Sequence, residues 1–220
     1  MDSNVTINWY NGFSKIYDLM SDYPYQKVRE TAIQTLNLDV GDVVIDLFCG
    51  TGVNFKSLAE ELGNTGRIIA IDGSPGMLSK AQDRIRRLNL KQEQFALHEQ
   101  DLLAIEANFL EGLIPQGIVP KVLMTLGVAG HPDWNPFWDH LFEALPVGTP
   151  ITTMDVCCRE GSLSARVISL IGSGKFNADI ASFQAWERLK ARCRDYEEKT
   201  YHPFNILRCS VIVATGRKPS

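Results

Sequence analysis

The chain has 220 residues, 45% of them hydrophobic and 22% charged, and its 22 Lys and Arg against 26 Asp and Glu leave a formal charge of −4. That length suits one α/β domain with a substantial core, and the composition excludes a disordered or fibrous chain. The mild acidity excludes a duplex nucleic-acid surface, because the one short basic cluster is Arg84, Arg86 and Arg87 on a predicted helix.

In chain order, Trp9, Phe13, Ile16 and Met20 recur at helical spacing, which predicts an amphipathic helix with an aromatic face. A second helix is expected over Tyr25 to Leu36, and the two together are expected to form an N-terminal helical segment, residues 1–38, either a lid over the cofactor or a cover of the sheet edge. Strict alternation follows. DVVIDLF reads as a parallel strand buried on both faces. CGTG turns into the helix NFKSLAEEL, closed by Gly63 and Asn64. RIIAID, PGMLSKAQDRIRRL, FALHEQD, VPKVLMTLG, NPFWDHLFEAL and TPITTMDV continue as strand, helix, strand, strand, helix, strand. Helical stretches are expected around Leu163 to Ile171 and Ala181 to Arg192.

The end holds two strand-like runs joined through HPFN, too short for a crossover helix, so they form an antiparallel pair. The fold expected is α/β: a Rossmann-like, doubly wound, seven-stranded and mostly parallel sheet with an antiparallel terminal pair. It is read as a single domain with its core over residues 39–220, and its ligand crevice at the carboxyl ends of the strands.

The chemistry-bearing pattern is Asp46, Gly50, Thr51 and Gly52 after the first strand, then Asp72 and Asp101 at the ends of the second and third. Glycines there let the backbone approach a ligand closely. A carboxylate beside that turn repels a pyrophosphate, and Phe55 stands where a dinucleotide fingerprint has its third glycine. A phosphate-free, positively charged nucleoside fits better. In that reading Asp72, with Gly73 beside it, accepts the two ribose hydroxyls, Asp101 and the Leu102 N–H meet the adenine edge, and Met77 packs on the adenine face. The competing reading has these acidic residues as solvated strand ends or helix caps.

With those residues assembled, the chain resembles the class I S-adenosylmethionine (SAM)-dependent methyltransferases over nearly its whole length. DLFCGTG is similar to their first motif, IDGSPGML to the second and QDLL to the third. KIYDLM resembles the segment before the first strand in quinone-biosynthesis C-methyltransferases and bacterial phospholipid N-methyltransferases, which implies that Tyr17 reaches the methionine end of the cofactor. TLGVAGHPDW, WERL and VATGRKP are similar to the lipid-headgroup relatives. Two departures stand out: the turn usually written P-G-G is Pro146, Val147, Gly148, and no acidic residue opens the fourth strand.

The resemblance implies SAM as cofactor, S-adenosylhomocysteine as product, Thr125 at the cofactor site, and a small-molecule or lipid-headgroup acceptor. An amine acceptor is slightly favoured over a quinone-like or phenolic carbon or oxygen. A nicotinamide-dependent oxidoreductase and a non-catalytic SAM-binding partner subunit are the competing classes.

On the acceptor side, His131 is either a general base or a turn residue before Pro132. Tyr17 and Tyr201 are candidate acceptor-pocket residues, with His202 beside them; surface positions in a turn are the alternative for Tyr201 and His202. Asp155 either orients an acceptor or caps a helix. The spacing of Trp134, Phe137 and Trp138 fits core packing. The cysteines, Cys49, Cys157, Cys158, Cys193 and Cys209, lack CxxC spacing and nearby His, which predicts reduced thiols, no metal site and a cytoplasmic location. No apolar run reaches transmembrane length, and MDSNVTINWYNG lacks the regions of a signal peptide.

Overall fold

A computed structural model describes residues 25–127, 134–158, 165–166, 184–204 and 209–220, without the side chains of residues 134, 135 and 204. Helix α1 (residues 25–35) is followed by β1 (Val43–Leu47), α2 (Phe55–Leu62), β2 (Arg67–Asp72), α3 (Pro75–Arg87), β3 (Phe95–Glu99) and α4 (Ala107–Leu113). Then come β4 (Lys121–Thr125), α5 (Trp134–Ala144), β5 (Pro150–Cys157), α6 (Ala185–Arg192), β6 (Arg194–Phe204) and β7 (Cys209–Arg217).

The seven strands order as β3-β2-β1-β4-β5-β7-β6. The first five run parallel, and β7 lies antiparallel between β5 and β6. This is the doubly wound, mostly parallel sheet with an antiparallel terminal pair that the sequence predicts. The expected amphipathic helix within Ile7 to Met20 and the stretch from Leu163 to Ile171, apart from residues 165–166, lie outside the described residues.

Alternate side chains of each strand feed two core layers, as the period of two requires. Ile45, Leu47, Ile69, Ile71, Val122 and Met124 face α4 and α5. Val44, Ile68, Ala70, Leu123 and Met154 face the other layer, formed by α1, α2 and α3. Val28, Ala32, Ile33 and Leu36 bury α1 in that second layer. The described part of the N-terminal segment is therefore integral to the core. Phe137, Trp138 and Leu141 are buried along α5, so this aromatic helix is core, as its spacing suggests.

One expectation fails: the thiols are not all free. Cys157 on β5 lies opposite Ser210 on β7. The next pair outward, Cys158 and Cys209, has its Cα atoms 4.6 Å apart and is joined as a disulfide. The expectation rested on sequence spacing, and these cysteines are 51 residues apart in sequence. Cys49, Cys157 and Cys193 remain free. Among the described residues no helix is long and apolar enough to cross a membrane, and no cluster of metal-ligating side chains occurs.

Candidate active site at the carboxyl edge of the sheet

Strand order reverses at β1, since β2 and β3 lie to one side and β4 and β5 to the other. Ligands of open α/β sheets bind at such a switch point, beyond the carboxyl ends of the strands. Asp46 and Thr125 sit near those ends on β1 and β4, and point into the layer shared with α1 and α2.

The turn after β1 is built from left-handed backbone. Gly50 has φ 54° and Gly52 φ 76°, and Phe48 adopts φ 57° without being glycine. Leu126, at the tip of β4, also has φ 57°. Bulky residues held in this region cost on the order of 1–3 kcal/mol each, and such strain gathers at functional sites. A Cβ on Gly52 would lie 2.6 Å from ring carbons of Phe55. The fully buried Phe55 ring packs 5.0 Å from Phe95, and so fills the space where a dinucleotide fold keeps its third glycine.

Asp72 closes the turn from the neighbouring strand. Its Oδ2 accepts the Gly50 N–H at 2.9 Å and its Oδ1 accepts the Ser74 N–H at 2.9 Å. Burial raises its pKa, while those two N–H groups pull it back. An ionised carboxylate has about four acceptor positions, so each oxygen keeps capacity for a ligand hydroxyl. Ser74 caps α3 by accepting the Met77 N–H at 3.2 Å, which fixes Gly73 in the turn and buries Met77 at the first turn of the helix. Asp101 caps a short 3-10 turn, its Oδ1 accepting the Leu103 N–H at 3.0 Å, with Leu102 buried beside it. Asp101 is therefore a cap as well as a candidate ligand residue. Thr51 is buried, and its carbonyl accepts from Arg84 at 3.0 Å.

Around Asp46 lies a buried polar network that sequence reasoning missed. The Asn54 amide donates to both Asp46 oxygens, at 2.9 and 3.1 Å, and to Thr125 Oγ1 at 3.1 Å. From α1, Arg29 donates to Thr125 Oγ1 at 2.6 Å and to Asn54 Oδ1 at 3.3 Å. The Thr125 hydroxyl also donates to Asn54 Oδ1 at 3.4 Å, which commits it to this network. Desolvation raises the Asp46 pKa to about 7; Asn54 and Arg29 act to lower it, and Asp72 adds to the rise. Burial also pushes the Cys49 thiol well above its ordinary value, reinforced by Asp72 and Asp46, which disfavours the thiolate. Arg29 carried a signal in the sequence, since it shares a helical stripe with Ile33 and Leu36, where a cation is out of place. Asn54 carried the signal of a polar residue just ahead of an apolar helix.

Asp46, Gly50, Thr51, Gly52, Asp72, Gly73, Met77, Asp101, Leu102 and Thr125 thus gather on the tips of β1, β2, β3 and β4 and the turns that follow them. Of the acceptor-side candidates, Tyr201 does not join them. Tyr201 lies within β6, opposite Val211, with His202 exposed beside it, rather than in the connection between strands. That strand is four places from β1, about 19 Å at ordinary strand spacing. Asp155 is buried on β5, one oxygen accepting the Val156 N–H at 2.8 Å, and its Oδ2 has no partner among the described residues. Desolvation raises its pKa to about 7. His131 and Tyr17 lie outside the described residues. A groove of about 440 Å³ between α1 and the β5–β7–β6 edge involves Pro150 and Arg217, at the opposite end of the strands, and none of the candidate site residues.

Residues 38–112, from the approach to β1 through α4, match the family model described as a methyltransferase domain. A demethylmenaquinone methyltransferase from Oceanobacillus iheyensis is 24% identical over 148 residues, 67% of this chain and 58% of that protein. The chain thus spans about three-fifths of the length of the first curated relatives it matches. Among solved structures, Haemonchus contortus phosphoethanolamine N-methyltransferase 2 superposes with a TM-score of 0.68 at 13% identity, covering 96% of this chain and 58% of that one. Geranyl diphosphate C-methyltransferase from Streptomyces coelicolor A3(2) does so at 0.63 and 14%, covering 88% and 76%. Residues 38–112 are thus similar to a methyltransferase domain, and the fold is that of the solved SAM-dependent methyltransferases, as the resemblance read from the sequence implies.

Proposed function

We propose that the chain binds SAM at the tips of β1, β2 and β3 and transfers its methyl group to a small molecule or lipid headgroup. The observation that carries this is the Asp72 clamp: a carboxylate held by the Gly50 and Ser74 N–H groups at 2.9 Å each, facing a left-handed glycine turn. The residues fit the cofactor. Asp72 keeps acceptor capacity for a ribose diol, Met77 offers an apolar flank for adenine, and Asp46 supplies negative charge for the cationic methionine end.

When bound, SAM supplies an electrophilic methyl group on a sulfonium. The protein need not furnish a covalent nucleophile; it must hold the acceptor in line, about 3 Å from the methyl carbon, a positioning effect worth roughly 7–11 kcal/mol in good cases. The turn and the three carboxylates fix one partner of that encounter. An amine acceptor of matched pKa reacts as the free base; His131 and Tyr17 are our candidates for the acceptor side, with His131 as general base where a proton must leave first.

The two comparisons point to different acceptors: the relative from Oceanobacillus iheyensis is named for demethylmenaquinone, the Haemonchus contortus structure for phosphoethanolamine. We favour an amine and hold carbon or oxygen methylation of a quinone-like or phenolic acceptor as the second reading. A release assay for S-adenosylhomocysteine across amines, phenols and quinols tests both. Turnover with amines supports the first reading, turnover confined to quinols or phenols the second, and inactivity across the panel, with SAM still bound, replaces both with a partner subunit.

A further inference from the structure

Arg29 is a cation on a helix that otherwise buries Val28, Ala32, Ile33 and Leu36, and it is itself 5% exposed. Burying a guanidinium is costly unless its donors are used, so its placement calls for a physical reason. Its partners include Thr125 on β4 at 2.6 Å and Asn54, ahead of α2, at 3.3 Å. Because a guanidinium can only donate, the Asn54 oxygen must face Arg29, and the Asn54 NH2 is thereby turned onto both oxygens of Asp46. One side chain of α1 thus joins the tip of β4, the entry to α2 and the carboxylate of β1.

We propose that Arg29 is a positioning residue that, through Asn54 and Thr125, couples the docking of α1 to the grip of Asp46 on a cationic ligand. The proposal rests on the SAM-binding reading above and goes beyond it by assigning control of that grip to a helix outside the glycine turn and the strand-end carboxylates.

Among the described residues, the groups that face Asp46 are Arg29 from α1, Asp72 from β2, Cys49 from the following turn, and the neutral Asn54 and Thr125. Arg29 is the one cation in that set. Burial and Asp72 favour the protonated acid, while Asn54 and Arg29 favour the carboxylate. Removing the Arg29 charge therefore raises the pH at which Asp46 ionises. A ligand cation is held only above that pH, so the midpoint of SAM binding moves upward. A neighbouring opposite charge ordinarily moves a carboxyl by about 1–3 pH units.

The test is calorimetric SAM affinity from pH 5.5 to 9 for the wild type, Arg29→Met, Arg29→Lys and Asp46→Asn, with a thermal melt at each pH to confirm folding. The expected results are a midpoint raised by about one unit or more in Arg29→Met, largely restored in Arg29→Lys, and abolished in Asp46→Asn. A merely structural role lowers affinity equally at all pH values and leaves the midpoint in place, which overturns the proposal while the SAM-binding reading survives. If Arg29→Met does not fold, Arg29→Gln, which removes the charge and keeps amide donors for Asn54 and Thr125, takes its place: a raised midpoint supports the proposal and an unchanged midpoint overturns it. Arg29→Lys keeps the charge and loses the fork to Asn54 and Thr125, so it must keep the wild-type midpoint within about half a unit with weakened affinity. A wild type that binds no SAM at any pH defeats the underlying reading instead.

Discussion

Replacing Asp72 by Ala removes the acceptor of the Gly50 and Ser74 N–H groups together with the proposed anchor of the ribose diol. The loss has two parts that a single affinity cannot separate, because a loosened turn weakens binding even where Asp72 never touches the ligand. A cycle separates them. Each charge-assisted hydrogen bond to a carboxylate is worth roughly 1.5–3 kcal/mol, so deleting one ribose hydroxyl from S-adenosylhomocysteine should weaken binding to the wild type by about 10-fold to 100-fold. In Asp72→Ala the carboxylate is already gone, and the same deletion should cost about twofold or less. The full cofactor should lose at least about tenfold on Asp72→Ala, or 1.4 kcal/mol. Calorimetry of both ligands on both proteins supplies the four affinities. Equal penalties for the missing hydroxyl in wild type and variant refute the ribose contact and leave Asp72 as a brace of the turn.

Asp155→Asn should raise stability at pH 8. Its carboxyl titrates near 7 in the fold instead of 3.8, so the folded chain holds the extra proton; stability falls as pH rises from about 4 to 7 and stays low above, by up to about 4 kcal/mol. Urea melts at pH 5 and pH 8 should show an advantage for the variant that is larger at pH 8, by about 2–3 kcal/mol. Gly52→Ala should cost about 2–4 kcal/mol, from the left-handed φ and the 2.6 Å approach to Phe55, read in the same melts. Trp138→Ala, emptying a buried site in α5, should cost about 3–5 kcal/mol in those melts without shifting the pH dependence of SAM affinity. Cys209→Ser should lower stability by up to about 4 kcal/mol under non-reducing conditions, and peptide mapping of the wild type should recover the Cys158–Cys209 link.

The sheet was legible because buried parallel strands read as short apolar runs and because seventeen glycines include the few that mark turns after strands. Val43–Leu47 and Arg67–Asp72 show this well: their ends place Asp46 and Asp72 on neighbouring tips, where the structure has them. Arg29 and Asn54 were legible only in part: the local pattern marks each as out of place, but their role comes from a contact 96 residues distant in one case and 71 in the other, which nothing local supplies. The left-handed Phe48 and Leu126 are hidden likewise, since a bulky residue in that conformation contradicts its own preference. Tyr201 failed to join the site because HPFN reads as a connection, yet β6 continues through Tyr201 to Phe204.

The most direct measurement is a pair of calorimetric titrations at one pH, SAM against NAD. Carboxylates on three adjacent strand tips, with Phe55 closing the space beside Gly52, predict micromolar SAM binding and no heat from the dinucleotide. Saturable NAD binding with SAM silent would contradict the account at its root.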